Sequence, residues 1–184
     1  GAWYEGRRGT RQHRTRRFET LYQGIARIQR RKRYIMQPDL RLATVGGSPF
    51  DVRILMQKDG SGTWKRTKIY VRVAPKGRLT SNLSRGGTAM GLGWVLRSRF
   101  GKARRRVRAS INQAAKTIVE ALDEVFDSPL GEIGLDLGVD RRGRVWLIEV
   151  NAKPFRKVFD AGPKRRVFLS FRRPMAYARY LAGF

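Results

Sequence analysis

The 184-residue sequence predicts an α+β domain. Two paired runs of strand-like residues carry that reading. Residues 49–57 and 63–73 flank Asp59-Gly60-Ser61-Gly62, and residues 131–139 and 144–150 flank Asp140-Arg141-Arg142-Gly143. Both linkers have the glycine and aspartate content of tight turns. Between the two hairpins, residues 109–126 place Ile111, Ala115, Ile118, Leu122 and Val125 on one side of a helix. The elements do not alternate strand–helix–strand as a parallel sheet requires, so antiparallel sheet with packed helices is the expected architecture.

The remaining elements follow in chain order. Trp3 and Tyr4 end a strand, and residues 6–17 read as an arginine-rich turn. Leu21, Ile25 and Ile28 recur at helical spacing with Thr20 as N-cap. Residues 34–37 form a short strand that Pro38 breaks, and residues 77–88 a glycine-rich polar loop. Pro174 suits the first turn of a last helix running to Leu181.

Composition narrows the chemistry. There is no cysteine, and the one histidine, His13, lies in a basic run, so thiolate or histidine-rich zinc sites and Ser-His-Asp triads are excluded. No apolar run is long enough for a transmembrane helix. The net charge is +27, which suits a polyanionic partner. Residues 109–152 stand apart: they hold eight acidic and four basic groups, an acidic island in a basic chain.

That island centres on the last hairpin. With its turn between Arg141 and Arg142, Asp136 is expected opposite Leu147 and Glu149 opposite Gly134. Strand alternation puts Asp136, Glu149 and Asn151 on one face. The other face carries Ile133, Leu135, Leu137, Val139, Trp146, Ile148 and Val150 and is expected to be core. Two carboxylates and an amide oxygen suit Mg²⁺ or Mn²⁺. Gly134 and Gly138 on the polar face would admit a ligand closely; the alternative is a merely solvated outer face. A second set joins Asp51, Arg53 and Arg72, on facing strands, to a donor-rich loop, Thr80 to Gly87. Such guanidiniums and N–H groups bind anions, although each arginine could equally belong to an arginine-rich surface.

The ordered motifs Asp51-Val52-Arg53, Ser81-Asn82-Leu83-Ser84-Arg85-Gly86-Gly87, Gly134-Leu135-Asp136 and Glu149-Val150-Asn151-Ala152-Lys153-Pro154 resemble the C-terminal half of an ATP-grasp domain. With Tyr34-Ile35-Met36-Gln37 and the ending from Arg172 to Phe184, they are similar to the YheC/YheD family of endospore coat-associated ATP-grasp proteins over nearly the whole chain. The resemblance implies ATP and Mg²⁺ (or Mn²⁺) as cofactors, with Asp136, Glu149 and Asn151 on the metal. It implies Arg53 and Arg72 at the γ-phosphate or an acyl-phosphate as catalytic groups, with Asn82 beside them. Arg85, Gly86 and Gly87 would close over the substrate, and Met36 and Gln37 would line adenine, with Asp39 at the ribose.

By the same resemblance, the expected activity is an ATP-dependent carboxylate–amine ligase working through an acyl-phosphate, on a carboxylate and amine the sequence does not identify. The protein would be cytoplasmic and spore-associated. Residues 1–160 would be a partial ATP-grasp domain, and 161–184 a basic C-terminal segment with a terminal helix. The N-terminal ATP-grasp subdomain, with its lysine and phosphate-covering loop, is not among these residues. A fragment with one wall of the nucleotide cleft, weak Mg²⁺-ATP binding and no turnover by itself is therefore expected. The alternative is a non-enzymatic protein that binds nucleic acid or another polyanion through its basic blocks. Oligomeric state is not legible in the sequence.

Overall fold

A computed structural model describes residues 4–8, 11–29, 40–77, 86–154 and 164–184. At the N-terminus, β1 (Tyr4–Arg8) and β2 (Arg11–Thr15) form an antiparallel hairpin, followed by α1 (Phe18–Gln29). The arginine-rich stretch is thus a paired hairpin rather than the expected turn. Its strands are held against α1 by apolar contacts that its composition hides. The Tyr4 and Phe18 rings meet edge to face at 5.5 Å, and a Cβ on Gly6 would come within 2.7 Å of Leu21.

The main body is a six-stranded antiparallel sheet built from β3 (Thr44–Val45), β4 (Ser48–Lys58), β5 (Trp64–Val73), β6 (Thr88–Met90), β7 (Glu132–Val139) and β8 (Val145–Asn151). The order is β6-β5-β4-β7-β8, with β3 paired onto β4. Gly46 and Gly47, at φ of 57° and 78°, make the two-residue β3–β4 turn, a conformation that asks for positive φ at both positions. The β4–β5 turn is pinned by Asp59, whose Oδ1 accepts from the Ser61 N–H at 3.0 Å and the Ser61 hydroxyl at 2.7 Å. The expected 34–37 strand lies outside the described residues.

Alternation along β4 and β7 sends Phe50, Val52, Ile54, Met56, Ile133, Leu135, Leu137 and Val139 to one face, where all are buried. Two helices cover that face: α2 (Leu92–Phe100) and α3 (Arg104–Val125), joined by a 3-10 turn at Gly101–Ala103. Val107, Ile111, Ala115 and Val119, four residues apart, form the buried stripe of α3. The sequence places this helix correctly but starts it five residues late, because Arg104 to Arg108 mask its first turn, and it misses α2. Burying a side chain such as Leu135 or Ile111 contributes about 1.5–3 kcal/mol, so this layer is the main source of stability.

The last helix, α4 (Lys164–Leu181), corrects a sequence expectation. Pro174 lies inside it rather than opening it. Proline has no N–H for the carbonyl four residues back, that of Ser170. Gln57 Nε2 donates to that freed oxygen at 2.9 Å. Gln57 is fully buried; its Nε2 also donates to Glu132 Oε2 at 2.9 Å, and its Oε1 accepts from Thr67 Oγ1 at 2.7 Å. Thr67 Oγ1 in turn accepts from Arg173 at 2.7 Å. An unsatisfied helix carbonyl and a buried amide satisfy each other, and α4 docks on the sheet face opposite α2 and α3.

Candidate functional site

The face opposite the core is built from the alternate residues of the same strands. Register pairs Asp51 with Arg72, Arg53 with both Tyr70 and Asp136, and Leu55 with both Lys68 and Gly134. Paired residues share a face, so Asp51, Arg53, Lys68, Tyr70, Arg72 and Asp136 stand together. Arg72 Nε meets Asp51 Oδ1 at 2.7 Å, and its Nη2 meets Asp136 Oδ2 at 2.8 Å. Arg53 Nη2 donates to Asp136 Oδ2 at 3.0 Å, and Arg53 Nε faces Asp136 Oδ1 as an ion pair. Asp136 is 2% exposed, and Asp51 and Arg72 are 6% exposed. Charges so deep need partners, and two guanidiniums interleaved with two carboxylates supply them.

Burial shapes the titration of this face. Desolvation alone would loosen the proton on Arg72, but hydrogen bonds and charge from Asp51 and Asp136 outweigh it and hold the guanidinium firmly protonated. Desolvation pushes Lys68 below the ordinary lysine range and Tyr70 above the ordinary phenol range. Sequence reasoning missed Lys68 and Tyr70. The signal was available: Lys68, Tyr70 and Arg72 alternate along β5.

The last hairpin differs from its expected register. Asp136 pairs with Glu149 and Gly134 with Asn151, but Leu137 pairs with Leu147, because β8 carries a bulge between these pairs. The turn is set by Asp140, which accepts from the Arg142 and Arg144 N–H groups at 2.9 Å, and by Gly143 at φ 81°. The bulge preserves the shared face of Asp136, Glu149 and Asn151 but changes the other residues. Trp146 now pairs with Gly138, on the polar side, and its indole N–H donates to Asp140 at 3.3 Å. Trp146 and Val150 are each 38% exposed, so the expected wholly apolar core face of β8 is not realised on this edge strand.

The two glycines also serve a different purpose from the one expected. A Cβ on Gly138 would come within 2.7 Å of Leu42 and 3.2 Å of Ile148. One on Gly134 would come within 2.9 Å of Pro154 and 3.4 Å of the Asn151 Cβ. The chain's own side chains fill both spaces.

The donor set is therefore uneven. Asp136 is committed to Arg53 and Arg72, whereas Glu149 is exposed and makes no ion pair with any described residue. Asn151 is half-buried, and its Nδ2 is buried without a hydrogen-bond partner among the described residues. An orphan amide N–H fits a phosphate oxygen; turned by half a rotation, the same amide offers its oxygen to a cation. Among the described residues no cluster of three or more histidine, cysteine or carboxylate groups is gathered for a metal. Two carboxylates with an amide still match the hard-oxygen chemistry of Mg²⁺. Lys68, Arg53 and Arg72 are balanced in formal charge by Asp51, Asp136 and Glu149.

Of the other expected site residues, Gly86 and Gly87 immediately precede β6, whose Ala89 pairs with Arg72. Met36, Gln37, Asp39, Asn82 and Arg85 lie outside the described residues.

A six-stranded antiparallel sheet with α2 and α3 on one face, and α4 beside paired arginines and carboxylates on the other, defines an α+β fold of the ATP-grasp C-terminal type. The chain belongs to the YheC/D-like ATP-grasp family, whose sequence model matches residues 1–181. It is 33% identical over 152 residues to the endospore coat-associated protein YheD of Bacillus subtilis (strain 168), covering 81% of this chain and 33% of that protein. It is 29% identical over 149 residues to YheC of the same organism, covering 80% and 40%. The chain thus spans between a third and two-fifths of the curated relatives it matches. Among solved structures it resembles the C-terminal domain of K. lactis Pby1, described as an ATP-grasp enzyme interacting with the mRNA decapping enzyme Dcp2. The TM-score there is 0.57 at 18% identity, over 88% of this chain and 51% of that one, which establishes the shared fold. No helix among the described residues is long and apolar enough to cross a membrane.

Proposed function

We propose that the polar face of the sheet is a wall of an ATP site serving an ATP-dependent carboxylate–amine ligase. The observation that carries this reading is the Asp136–Arg53–Arg72–Asp51 array beside two oxygen donors, Glu149 and Asn151, that have no side-chain partner among the described residues, in a member of an ATP-grasp family. Glu149 and Asn151 would hold Mg²⁺ or Mn²⁺, with Asp136 shared between the ion and the guanidiniums. A bound divalent ion would neutralise phosphate charge and orient the phosphate oxygens. Arg53 and Arg72 would bind the γ-phosphate and stabilise charge as it passes to a substrate carboxylate; Asn82 and the 85–87 segment would contribute from the loop. An amine would then displace phosphate from the acyl-phosphate. Asp51 and Asp136 hold both guanidiniums in ion pairs and aim them across the face. Met36, Gln37 and Asp39 would take the nucleoside. Spore association, carried over from the names of the relatives, is part of this proposal.

The test is calorimetric titration of ATP with and without Mg²⁺, on the wild type and Glu149→Gln. Mg²⁺ is expected to strengthen ATP binding by tenfold or more in the wild type, a gain of about 1.4 kcal/mol, and to leave the variant unaffected. Equal Mg²⁺ dependence in both proteins would overturn the metal assignment.

A further inference from the structure

The junction of α2 and α3 carries charge that the nucleotide site does not use. Residues 97–108 hold six arginines and one lysine and no acid. Tertiary structure adds the β7–β8 turn to them. A Cβ on Gly143 would come within 2.8 Å of Val107 and 3.8 Å of the Phe100 ring. Arg142 and Arg144, the chain neighbours of Gly143, are therefore brought to the same region as Arg106 and Arg108, the chain neighbours of Val107. Arg105, Arg106, Arg141 and Arg142 are all exposed. The acid nearest the turn, Asp140, is 6% exposed and occupied by Arg144 at 2.7 Å, the Trp146 indole and two backbone N–H groups, so it does not neutralise the surface.

Two further observations mark unmet positive charge on this surface among the described residues. Arg99 Nε is buried without a hydrogen-bond partner among the described residues. The first turn of α3 carries three consecutive arginines, Arg104 to Arg106, where the helix dipole favours negative charge, and no acid. On α2, Trp94 is 55% exposed with Arg97 one turn away, and Arg108 Nη2 of α3 lies 3.3 Å from a Cβ built on the adjoining Gly93. The surface belongs to the helix layer and faces away from Arg53, Arg72 and Asp136.

From this arrangement we infer that the α2–α3 junction and the β7–β8 turn form a binding surface for single-stranded nucleic acid, with arginines on the phosphates and a base stacked on Trp94. Arginine binds phosphate in two-pronged fashion, and an exposed tryptophan among arginines is the pairing that single-strand binding uses. A membrane surface fits less well. Leu92, Val95 and Leu96, the apolar side of α2, are consumed by the core and leave no amphipathic face to insert.

The test is fluorescence anisotropy of a labelled single-stranded DNA of about 20 nucleotides, longer than a typical single-strand site, titrated from about 50 to 200 mM salt. Three variants are compared after circular dichroism confirms their fold: R105Q/R106Q/R141Q/R142Q, the equally charged control R27Q/R41Q/R172Q/R179Q, and W94A. The patch variant is expected to bind more than about tenfold more weakly and to flatten the salt slope by about 3, at roughly 0.7 for each phosphate no longer neutralised. The control should weaken far less. W94A should bind about fivefold or more weakly with the slope unchanged. The paired variants R105Q/R106Q and R141Q/R142Q each test half of the surface should the fourfold variant fail to fold. Equal weakening in patch and control variants, an unaffected W94A, or displacement of the DNA by polyglutamate or anionic vesicles at matched charge would each overturn the inference. Glu149→Gln should bind the DNA like the wild type, which separates this surface from the nucleotide site.

Discussion

Val52 and Arg53 are neighbours in β4, yet they belong to different molecular environments. Val52 faces Leu137 across the ladder and lies under the helix layer, fully buried. Arg53 faces Asp136 and shares it with Arg72. The apolar face is indifferent to which aliphatic group fills it, provided volume is kept. The polar face is a set of mutually dependent charges in which no member can be removed without exposing another's desolvation cost. One face holds the sheet together, while the other holds charges in fixed positions at low solvent exposure.

The comparison can be broken most sharply by removing its central charge. Asp136→Ala leaves Arg53 and Arg72 without their shared carboxylate and should cost about 3–5 kcal/mol in urea unfolding. Leu135→Ala, one residue away on the other face, should cost about 2–5 kcal/mol through the cavity it leaves. The two effects should be similar in size and differ in salt response, since only the former changes charge. A loss below about 1 kcal/mol for Asp136→Ala would show that the charges are not interdependent.

A smaller effect is expected where α4 docks on the polar face. Gln57→Leu removes the donor to the Ser170 carbonyl and to Glu132 and should cost about 1–3 kcal/mol. Hydrogen exchange should quicken along 164–181 before the sheet is affected. Uniform exchange across α4 and β4 would mean that the helix and sheet open as one unit, independently of this amide.

The β7–β8 turn supplies a pH test. Burial works against the charge of Asp140, but hydrogen bonds from the Arg144 side chain, the Arg144 and Arg142 N–H groups and the Trp146 indole outweigh it and hold the carboxyl at about 2. A folded value below the unfolded one contributes stability that is present above about pH 4 and is lost as pH falls toward about 2. Asp140→Asn should therefore flatten the fall in stability across that window in acid titrations of unfolding. An unchanged acid limb would remove Asp140 from the account.

The smallest stability change is expected at the residue with the largest proposed role in binding. Glu149 is exposed and makes no ion pair with a described residue, so Glu149→Gln should shift unfolding by no more than about 0.5 kcal/mol. A large loss would place Glu149 in the structural network with Asp136 rather than among the free donors.

Period-two alternation and turn chemistry made both hairpins, the shared face of Asp51, Arg53 and Arg72, and that of Asp136, Glu149 and Asn151 legible in the sequence. These patterns are local and depend only on strand geometry. Tertiary structure alone decided the rest. The β8 bulge moved Trp146 to the polar side, a choice fixed by Asp140 closing its turn on Arg142, Arg144 and Trp146. Pro174 sits inside α4 because Gln57, far before it in the chain, satisfies the carbonyl that proline leaves free. Gly134 and Gly138 are filled by Pro154, Asn151, Leu42 and Ile148, contacts that no local window contains. The charges of residues 97–108 and of Arg141 and Arg142 are visible one by one in the sequence, but their union into one surface depends on Gly143 meeting Val107. Alternation determines which residues can share a face, and long-range hydrogen bonds and packing determine which neighbours they meet there.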